Sequence, residues 1–438
     1  MTPLKTKGQI SFFDPATKLH SEDCSEHIPP PPLFIRTATK QTLYECGYDR
    51  NMKVYKGAFL DPIEKEVFQG FLSVEDGRIA GLDRQAPAAA EVVQLPGLVV
   101  PGLIDAHVHL TLAGSLDPMV DLEQSDDFFL LARATGYLRR YLSAGITALR
   151  DLGSRAGSVV GLAQAVEKGH LAGPRIVAAG PVITPTGGHG WKFGLESDGP
   201  EGVRKAARRV FKQGAQAIKF MATGGVMTPG IKAGAEMFSE DEMRAGVLEA
   251  EKRGAVSAAH AQGLSGIKNA IRAGVRTIEH GAFDTWDEEV FLLMERQGTI
   301  LVPTLAAPDG ILQGINQVPD FVAQKTRPIA ERHRENTLEA YRAGVAIAAG
   351  TDAGTPLNGH PNLARELALL ADLGLELTDV FQAATVIGAK ALGMENLLGR
   401  IAPGFAADLV ALDGNPLTDV SAYTRPLATV IRGTIWHD

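Results

Sequence analysis

Between about residues 100 and 395, short apolar runs typical of strands alternate with amphipathic stretches typical of helices. Eight strand candidates occur there: LVVPGLIDAH, ITALRD, RIVAAG, AQAIKFM, AVSAAH, VRTIEH, TILVP and VAIAAGTD. Several intervening stretches, GVRKAARRVFKQG among them, end in glycine, a common helix stop. Eight strand-then-helix units predict an α/β fold, a (β/α)8 TIM barrel. The alternative is an open doubly wound sheet, but its nucleotide-binding versions lose support because neither GxGxxG after the first strand nor GxxxxGK[ST] occurs.

Both ends of the chain have a different pattern. Apolar runs separated by turn signals, such as VFQGFLSVE and DGRIAG, precede the barrel region, and similar runs return in FAADLVALDG and LATVIRGTIW. We therefore expect a small β-sandwich formed from residues 39–100 and 396–438, and a barrel domain over residues 101–395. Residues 1–38 are expected to form an N-terminal extension, because its HIPPPPLF run can join neither a helix nor a central strand.

Charge and cysteine content narrow the classes of partner. The 43 Lys+Arg against 51 Asp+Glu give a net charge of −8 without a basic block, so no nucleic acid partner is expected. The two cysteines, Cys24 and Cys46, are interpreted as free thiols rather than as a disulfide. No apolar stretch has the length of a signal peptide or of a spanning helix, so we expect a cytoplasmic protein with no membrane partner.

The side chains that end the predicted strands point to a metal site. In a barrel, the active site lies at the carboxyl ends of the strands. The metal-capable residues at those ends are His107, His109, His260, His280 and Asp352. Positions two apart on a strand face the same side, so His107 and His109 can bind one ion together. Nitrogen and oxygen ligands without thiolates suit zinc, or else manganese, iron or cobalt.

Lys219 lies in the fourth predicted strand, AQAIKFM, among apolar or small neighbours. A charged lysine beside metal ions would be repelled, whereas a desolvated lysine loses its proton readily. The neutral amine can add carbon dioxide, and the two oxygens of the resulting carbamate can bridge two cations. We therefore predict two divalent metal ions, with Zn²⁺ favoured. The predicted ligands are His107 and His109 for one ion, His260 and His280 for the other, and carbamylated Lys219 and Asp352 to complete the set.

These residues stand in phrases that resemble the amidohydrolase superfamily from about residue 55 to 435. The phrases include GLIDAHVHL, IKFMATGGV, AAHAQG, TIEHG, AAGTDAG and GRIAPGFAADLVALDGNPL. The branch most similar is the imidazolonepropionase-related group that contains Xaa-Pro dipeptidase-like enzymes and ochratoxin-type amidases. True imidazolonepropionases bind one metal and do not use the strand-four lysine, so Lys219 indicates the binuclear, peptidase-like members. Relatives often assemble, which implies a homo-oligomer.

The predicted activity is hydrolysis of the amide bond of a small molecule, a dipeptide or N-acyl amino acid, including ochratoxin-like aromatic amides. A hydroxide bridging the metals would attack the carbonyl, and Asp352 would pass its proton to the leaving amine. His189, in the TPTGGHG loop, would donate to the substrate carbonyl or carboxylate, or else fix the loop. The alternatives are a lactonase or phosphotriesterase-like hydrolase, a deaminase and a non-enzymatic scaffold.

Three further segments carry weaker predictions. Arg150 and Asp151 end strand two, where an ion pair that braces the rim is favoured over a contact to a substrate carboxylate. His360 stands near a predicted helix start and carries no assigned role. The segment MTPGIKAGAEMFSEDEM after strand four is a candidate substrate loop, and its SEDE resembles a capping box.

Overall fold

The computed structural model describes residues 52–88, 90–282 and 284–437. The predicted N-terminal extension, Cys24 and Cys46 lie outside the described residues. None of the helices in these ranges combines the length and the apolar character needed to cross a membrane.

The described chain contains sixteen strands and twelve α-helices. The strands are β1 (Lys53–Leu60), β2 (Val67–Glu75), β3 (Arg78–Asp83), β4 (Val92–Pro101), β5 (Leu103–Val108), β6 (Ile146–Asp151), β7 (Arg175–Ala178), β8 (Val182–Thr184), β9 (Gly194–Glu196), β10 (Ala217–Met221), β11 (Val256–Ala261), β12 (Thr277–His280), β13 (Ile300–Val302), β14 (Leu409–Leu412), β15 (Pro426–Ile431) and β16 (Thr434–Ile435). The helices are α1 (Pro118–Gln124), α2 (Asp127–Ser143), α3 (Ser158–Glu167), α4 (Gly199–Lys212), α5 (Glu240–Glu251), α6 (Leu264–Arg272), α7 (Glu288–Gln297), α8 (Ala306–Gln313), α9 (Asp320–Arg342), α10 (Leu363–Leu373), α11 (Leu377–Ala383) and α12 (Val386–Leu392).

Two parallel sheets and one irregular segment form the barrel. One sheet has the order β5-β6-β7, and the other the order β13-β12-β11-β10-β8-β9. The third predicted strand, RIVAAG, forms β7. The chain turns at Gly180, whose φ of 69° suits glycine, and then forms β8, which the sequence did not predict. Residues 345–353 form no regular strand, but they bond to both flanking strands, since the Leu301 N–H donates to Ala346 O and the Ala106 N–H to Ala349 O, each at 2.9 Å. The predicted α/β barrel fold is thereby confirmed.

Strands from both ends of the chain form one separate sheet. Its order is β16-β15-β14-β4-β1-β2-β3, and β14 pairs antiparallel with β4 at Leu409 and Pro101. Apolar side chains such as Tyr55, Phe59 and Leu409 pack into one cluster of this sheet. A β unit drawn from both chain ends is therefore confirmed, and its strands share a single hydrogen-bonded sheet. The domain boundaries given above stay a prediction.

Helix α5 fixes the end of the loop that follows β10. Ser239 caps it by accepting from the Glu242 N–H, while the Glu242 carboxylate accepts from the Ser239 N–H at 2.9 Å. This reciprocal pair is the capping box that the SEDE sequence predicts. The cap defines where the loop between β10 and α5 must rejoin the helical layer of the barrel.

Candidate metal centre

The six predicted ligands line one cavity at the carboxyl ends of the barrel strands. They are His107, His109, Lys219, His260, His280 and Asp352, and each is less than 9% exposed. The parallel register explains their proximity, because Met221 lies beside His260 and Ala261 beside His280 in neighbouring strands. The cavity encloses about 820 Å³, its open mouth included.

His107, His109 and Asp352 form the tightest cluster. Asp352 Oδ1 lies 3.3 Å from His107 Nε2 and 3.2 Å from His109 Nε2. Their ligand atoms all lie within 4.8 Å of one another. His107 Nε2 is buried and has no hydrogen-bond partner among the described residues. Because a buried polar atom normally has a partner, this orphaned nitrogen fits a metal ligand.

His260 and His280 face each other beside this cluster, with ring centroids 4.6 Å apart, and the His280 ring lies 5.2 Å from that of His107. His260 Nε2 lies 3.1 Å from Gly224 O, so Nδ1 is the nitrogen of this ring that could bind a metal ion. His280 Nδ1 lies 2.7 Å from the Thr304 hydroxyl, so in this ring Nε2 is the nitrogen that could bind a metal ion. His280, Thr304 and Asp352 all have positive φ, of 73°, 58° and 54°. Such strained backbone is typical of functional sites.

Burial keeps three of the imidazoles neutral. It is the largest cause that lowers the pKa of His107, His260 and His280 well below the usual range, and neighbouring histidines and the Lys219 charge lower it further. The neutral ring is the form that binds metals. The donor set therefore fits divalent ions both in atom type and in protonation state.

Lys219 is 1% exposed, and its amine forms no hydrogen bond or ion pair with any described residue. Burial lowers its pKa to about 8, although Glu279 and Asp352 act in the opposite direction. A lysine without a partner in such a setting exists partly as the neutral amine near physiological pH.

Sequence reasoning missed Glu279. This buried carboxylate accepts from His107 Nδ1 at 2.8 Å and from the Arg150 guanidinium at 3.0 Å. Arg150 is itself fully buried and also donates to Ala106 O and Ala391 O. Arg150 therefore faces no substrate. The expected Arg–Asp pair is wrong, because Arg150 pairs with Glu279, while Asp151 accepts from the Leu110 N–H. The only sequence signal for Glu279 is its position directly before a predicted ligand in TIEH.

His189 also lines the cavity, with its ring 4.5 Å from that of His260. Its Nδ1 lies 2.7 Å from the Thr228 hydroxyl, and burial lowers its pKa to about 3. A Cβ at Gly225 would lie 2.4 Å from His189 Nε2, so only glycine fits there. His360 does not line the cavity, because its ring bonds to the Tyr141 hydroxyl and to Leu112 O.

Residues 98–436 match the model of the amidohydrolase family. This chain belongs to the amidohydrolase family. It is 31% identical to ochratoxinase from Aspergillus niger over 363 residues, which are 76% of this chain and 73% of that protein.

Solved structures of amidases support the same assignment. A Xaa-Pro dipeptidase with methionine bound in its active site superposes with a TM-score of 0.81 at 29% identity, covering 88% of this chain and 100% of that one. A prolidase complexed with N-methylphosphonate-L-proline gives 0.80 at 33% identity, covering 88% and 99%. This amidohydrolase is therefore a hydrolase that acts on carbon–nitrogen bonds, and the resemblance inferred from its motifs is confirmed.

Proposed function

We propose that this amidohydrolase cleaves the amide bond of a dipeptide or N-acyl amino acid, ochratoxin-like aromatic amides included, at a centre of two divalent metal ions. Zn²⁺ is the favoured ion. The observation that carries the proposal is Lys219, a buried amine that has no hydrogen-bond or ion-pair partner among the described residues and lines the same cavity as four histidines and Asp352.

Lys219 would act as a carbamate. Its pKa of about 8 supplies the neutral amine that reacts with carbon dioxide. The carbamate would then carry two oxygens and a negative charge in the cavity that the four histidines line. In this proposal, His107 and His109 hold one ion, His260 and His280 hold the other, and Lys219 and Asp352 complete the set.

The ions, when bound, would lower the pKa of a water molecule and polarise the scissile carbonyl. Asp352 would accept a proton at its carboxylate from the attacking water and return it to the leaving amine. Its Oδ1, 3.3 Å or less from two ligand nitrogens, supports this role. His189 would donate from Nε2 to the substrate carbonyl or carboxylate, while Thr228 holds Nδ1 at 2.7 Å. Assembly as a homo-oligomer and a cytoplasmic location stay predictions from the sequence.

The test uses the full chain, stripped with a chelator and reloaded with Zn²⁺, Mn²⁺ or Co²⁺ in ¹³C-labelled bicarbonate. We expect about two metal ions per chain by elemental analysis, a ¹³C carbamate signal and cleavage of members of a dipeptide and N-acyl amino acid library by mass spectrometry. Lys219→Ala should lose the ¹³C signal and the activity, whereas the exposed Lys205→Ala should keep both.

Other outcomes would redirect the proposal. A doubly loaded protein that is inactive on the whole amide library contradicts it. Cleavage of lactones or organophosphates alone favours the lactonase or phosphotriesterase-like alternative. One bound ion with release of ammonia favours the deaminase.

A further inference from the structure

Away from the metal ligands, most of the side chains that line the cavity are apolar. One wall contains Leu112, Phe193 and Met221, which are all buried and belong to one packed cluster with Met119 beside them. Met221 ends β10 and Leu112 follows β5, so the packed cluster connects this wall to two of the strands that carry proposed ligands. Nothing in this wall offers a polar group to a substrate.

A second wall is built by two helices. Ala307, Pro308 and Ile311 of α8 and Ile329 of α9 line the cavity, and these two helices pack against each other. Ile311 and Ile329 are buried, with 2% and 5% of their surface exposed. A substrate side chain that lies against this wall meets mainly hydrocarbon, beside the uncharged Thr326 and His333 of α9, because burial lowers the pKa of His333 to about 4.

Among the residues that line the cavity, formal charge belongs to the metal centre. Lys325 of α9 is outside the lining, and its ammonium is used by Gly225 O and Thr228 O, to which it donates at 3.3 and 2.6 Å. Among the described Lys, Arg, Asp and Glu residues, only Lys219 and Asp352 line the cavity, and both belong to the proposed ligand set. Neutral groups such as Gln262, Thr326 and Thr355 supply the remaining polarity. A charged substrate side chain against these walls would lose its hydration without gaining a counter-ion, which is strongly unfavourable.

We infer that the substrate carries an apolar side chain, aromatic or branched aliphatic, that packs against the wall formed by α8 and α9, and that basic and acidic side chains are excluded from it. This inference rests on the proposed amide hydrolysis and names its substrate class. Met119, Met221 and Met227 also line the cavity. Because methionine adapts its shape readily, the walls should accept several apolar side chains of different outline.

The test compares dipeptides and N-acyl amino acids that differ only in one side chain, with leucine, methionine and phenylalanine set against lysine and glutamate. The metal-loaded full chain is used. For each compound series, kcat/KM is measured with the variable side chain on the acyl side of the amide and again with it on the amine side. At one position or both, we expect the apolar compounds to exceed the charged ones by about 100-fold. Values within threefold at both positions would overturn the inference.

Two variants of α8 locate the preference. Ile311→Glu introduces a carboxylate into the wall and should raise the ratio of lysine to leucine substrates by about 10-fold. Leu312→Glu is the matched control, because Leu312 is 41% exposed on the same helix and does not line the cavity. It should leave the ratio unchanged. An equal change of the ratio in both variants would contradict the assignment of this wall.

A binding measurement separates this inference from the proposed function. Calorimetry with N-acetylphenylalanine and N-acetyllysine requires neither turnover nor a variant. If no amide is cleaved but N-acetylphenylalanine binds at least about 10-fold more tightly, the proposed reaction fails and the apolar site stands. If amides are cleaved but the two ligands bind equally and the rates are equal, the reaction stands and the apolar site fails.

Discussion

Glu279 connects a buried arginine to a predicted metal ligand. Its carboxylate bonds both His107 and Arg150, and all three side chains are 0% exposed. Glu279→Gln removes the charge that compensates Arg150, so we expect the free energy of unfolding to fall by about 3–5 kcal/mol. Metal affinity should fall about 10–100-fold, because the His107 ring loses its charged partner. Denaturant unfolding and chelator competition measure the two effects. The exposed Glu295→Gln should change neither, and wild-type stability of Glu279→Gln would contradict the prediction.

Thr304 determines which nitrogen of His280 faces the cavity. Its hydroxyl lies 2.6 Å from Pro303 O, to which it donates, and it therefore accepts from His280 Nδ1 at 2.7 Å. Thr304→Val removes this acceptor and should lower metal affinity about 10–100-fold. Thr304→Ser keeps the hydroxyl and should restore most of the affinity. Equal affinities of the Val and Ser variants, measured by chelator competition, would assign Thr304 a packing role alone.

These two contacts mark where prediction of the site from sequence ends. The six proposed ligands could be predicted because each lies at or near the carboxyl end of a predicted strand, and parallel strand ends meet at one mouth of a barrel. Glu279 and Thr304 belong to the site through side-chain hydrogen bonds to His107 and His280, and Glu279 lies 172 positions from His107 in the sequence. No local pattern encodes such a pairing, so these residues become visible only in three dimensions.

At the level of elements, the barrel could be predicted except where the backbone is irregular. The apolar run VAIAAGTD is typical of a strand, yet residues 345–353 bond to their neighbours without regular strand geometry. Two local causes are visible. A Cβ at Gly350 would lie 3.0 Å from His107, and Asp352 has a φ of 54°. The segment therefore departs from an extended strand where it delivers Asp352 to the centre.

Glu366 of α10 ties this helix to α8, because its Oε2 accepts from the Ala306 N–H at 2.7 Å. Burial raises the pKa of its carboxyl to about 8. The folded protein therefore holds a proton that the unfolded chain releases above about pH 4.3. Between that value and about pH 8, this group lowers the free energy of unfolding by up to about 1.4 kcal/mol for each unit of rising pH.

Glu366→Gln keeps an acceptor oxygen for Ala306 and removes the titration. The variant should therefore lose less stability than the wild type when the pH rises from about 5 to about 8. Urea unfolding at both pH values measures the difference. Glu339→Gln on the exposed face of α9 is the control and should follow the wild type. Identical pH dependence in all three proteins would show that Glu366 is not protonated in the fold.

At the level of the whole molecule, the chain passes directly from the sheet into the barrel. β4 pairs with β14 in the sheet, and one residue after Pro101 the chain enters β5, which carries His107. The Arg175 guanidinium, at the start of β7, bonds the Asp408 carboxylate just before β14. The sheet expected from both chain ends therefore continues through β4 into the first barrel strand. The Arg175–Asp408 ion pair, which the pattern of strands along the sequence does not reveal, connects β7 to the residue before β14.

Metal removal should affect the stability of the entire barrel. The proposed ligands come from β5, β10, β11, β12 and residues 345–353, so bound ions would cross-link separate strand ends. An ion that binds only the folded state stabilises it by about 2.7 kcal/mol at one hundred times its Kd. We therefore expect Tm to rise with the logarithm of free Zn²⁺ and to fall after chelation. The paired variant His107→Ala with His109→Ala should lose most of this response, whereas the exposed His170→Ala should retain it.

Because burial lowers the pKa of His260 and His280 well below the usual range, protons compete only weakly with metal ions for these rings. The rise of Tm with Zn²⁺ should therefore persist at about pH 6. A Tm that is independent of Zn²⁺ would mean that these side chains hold no ion.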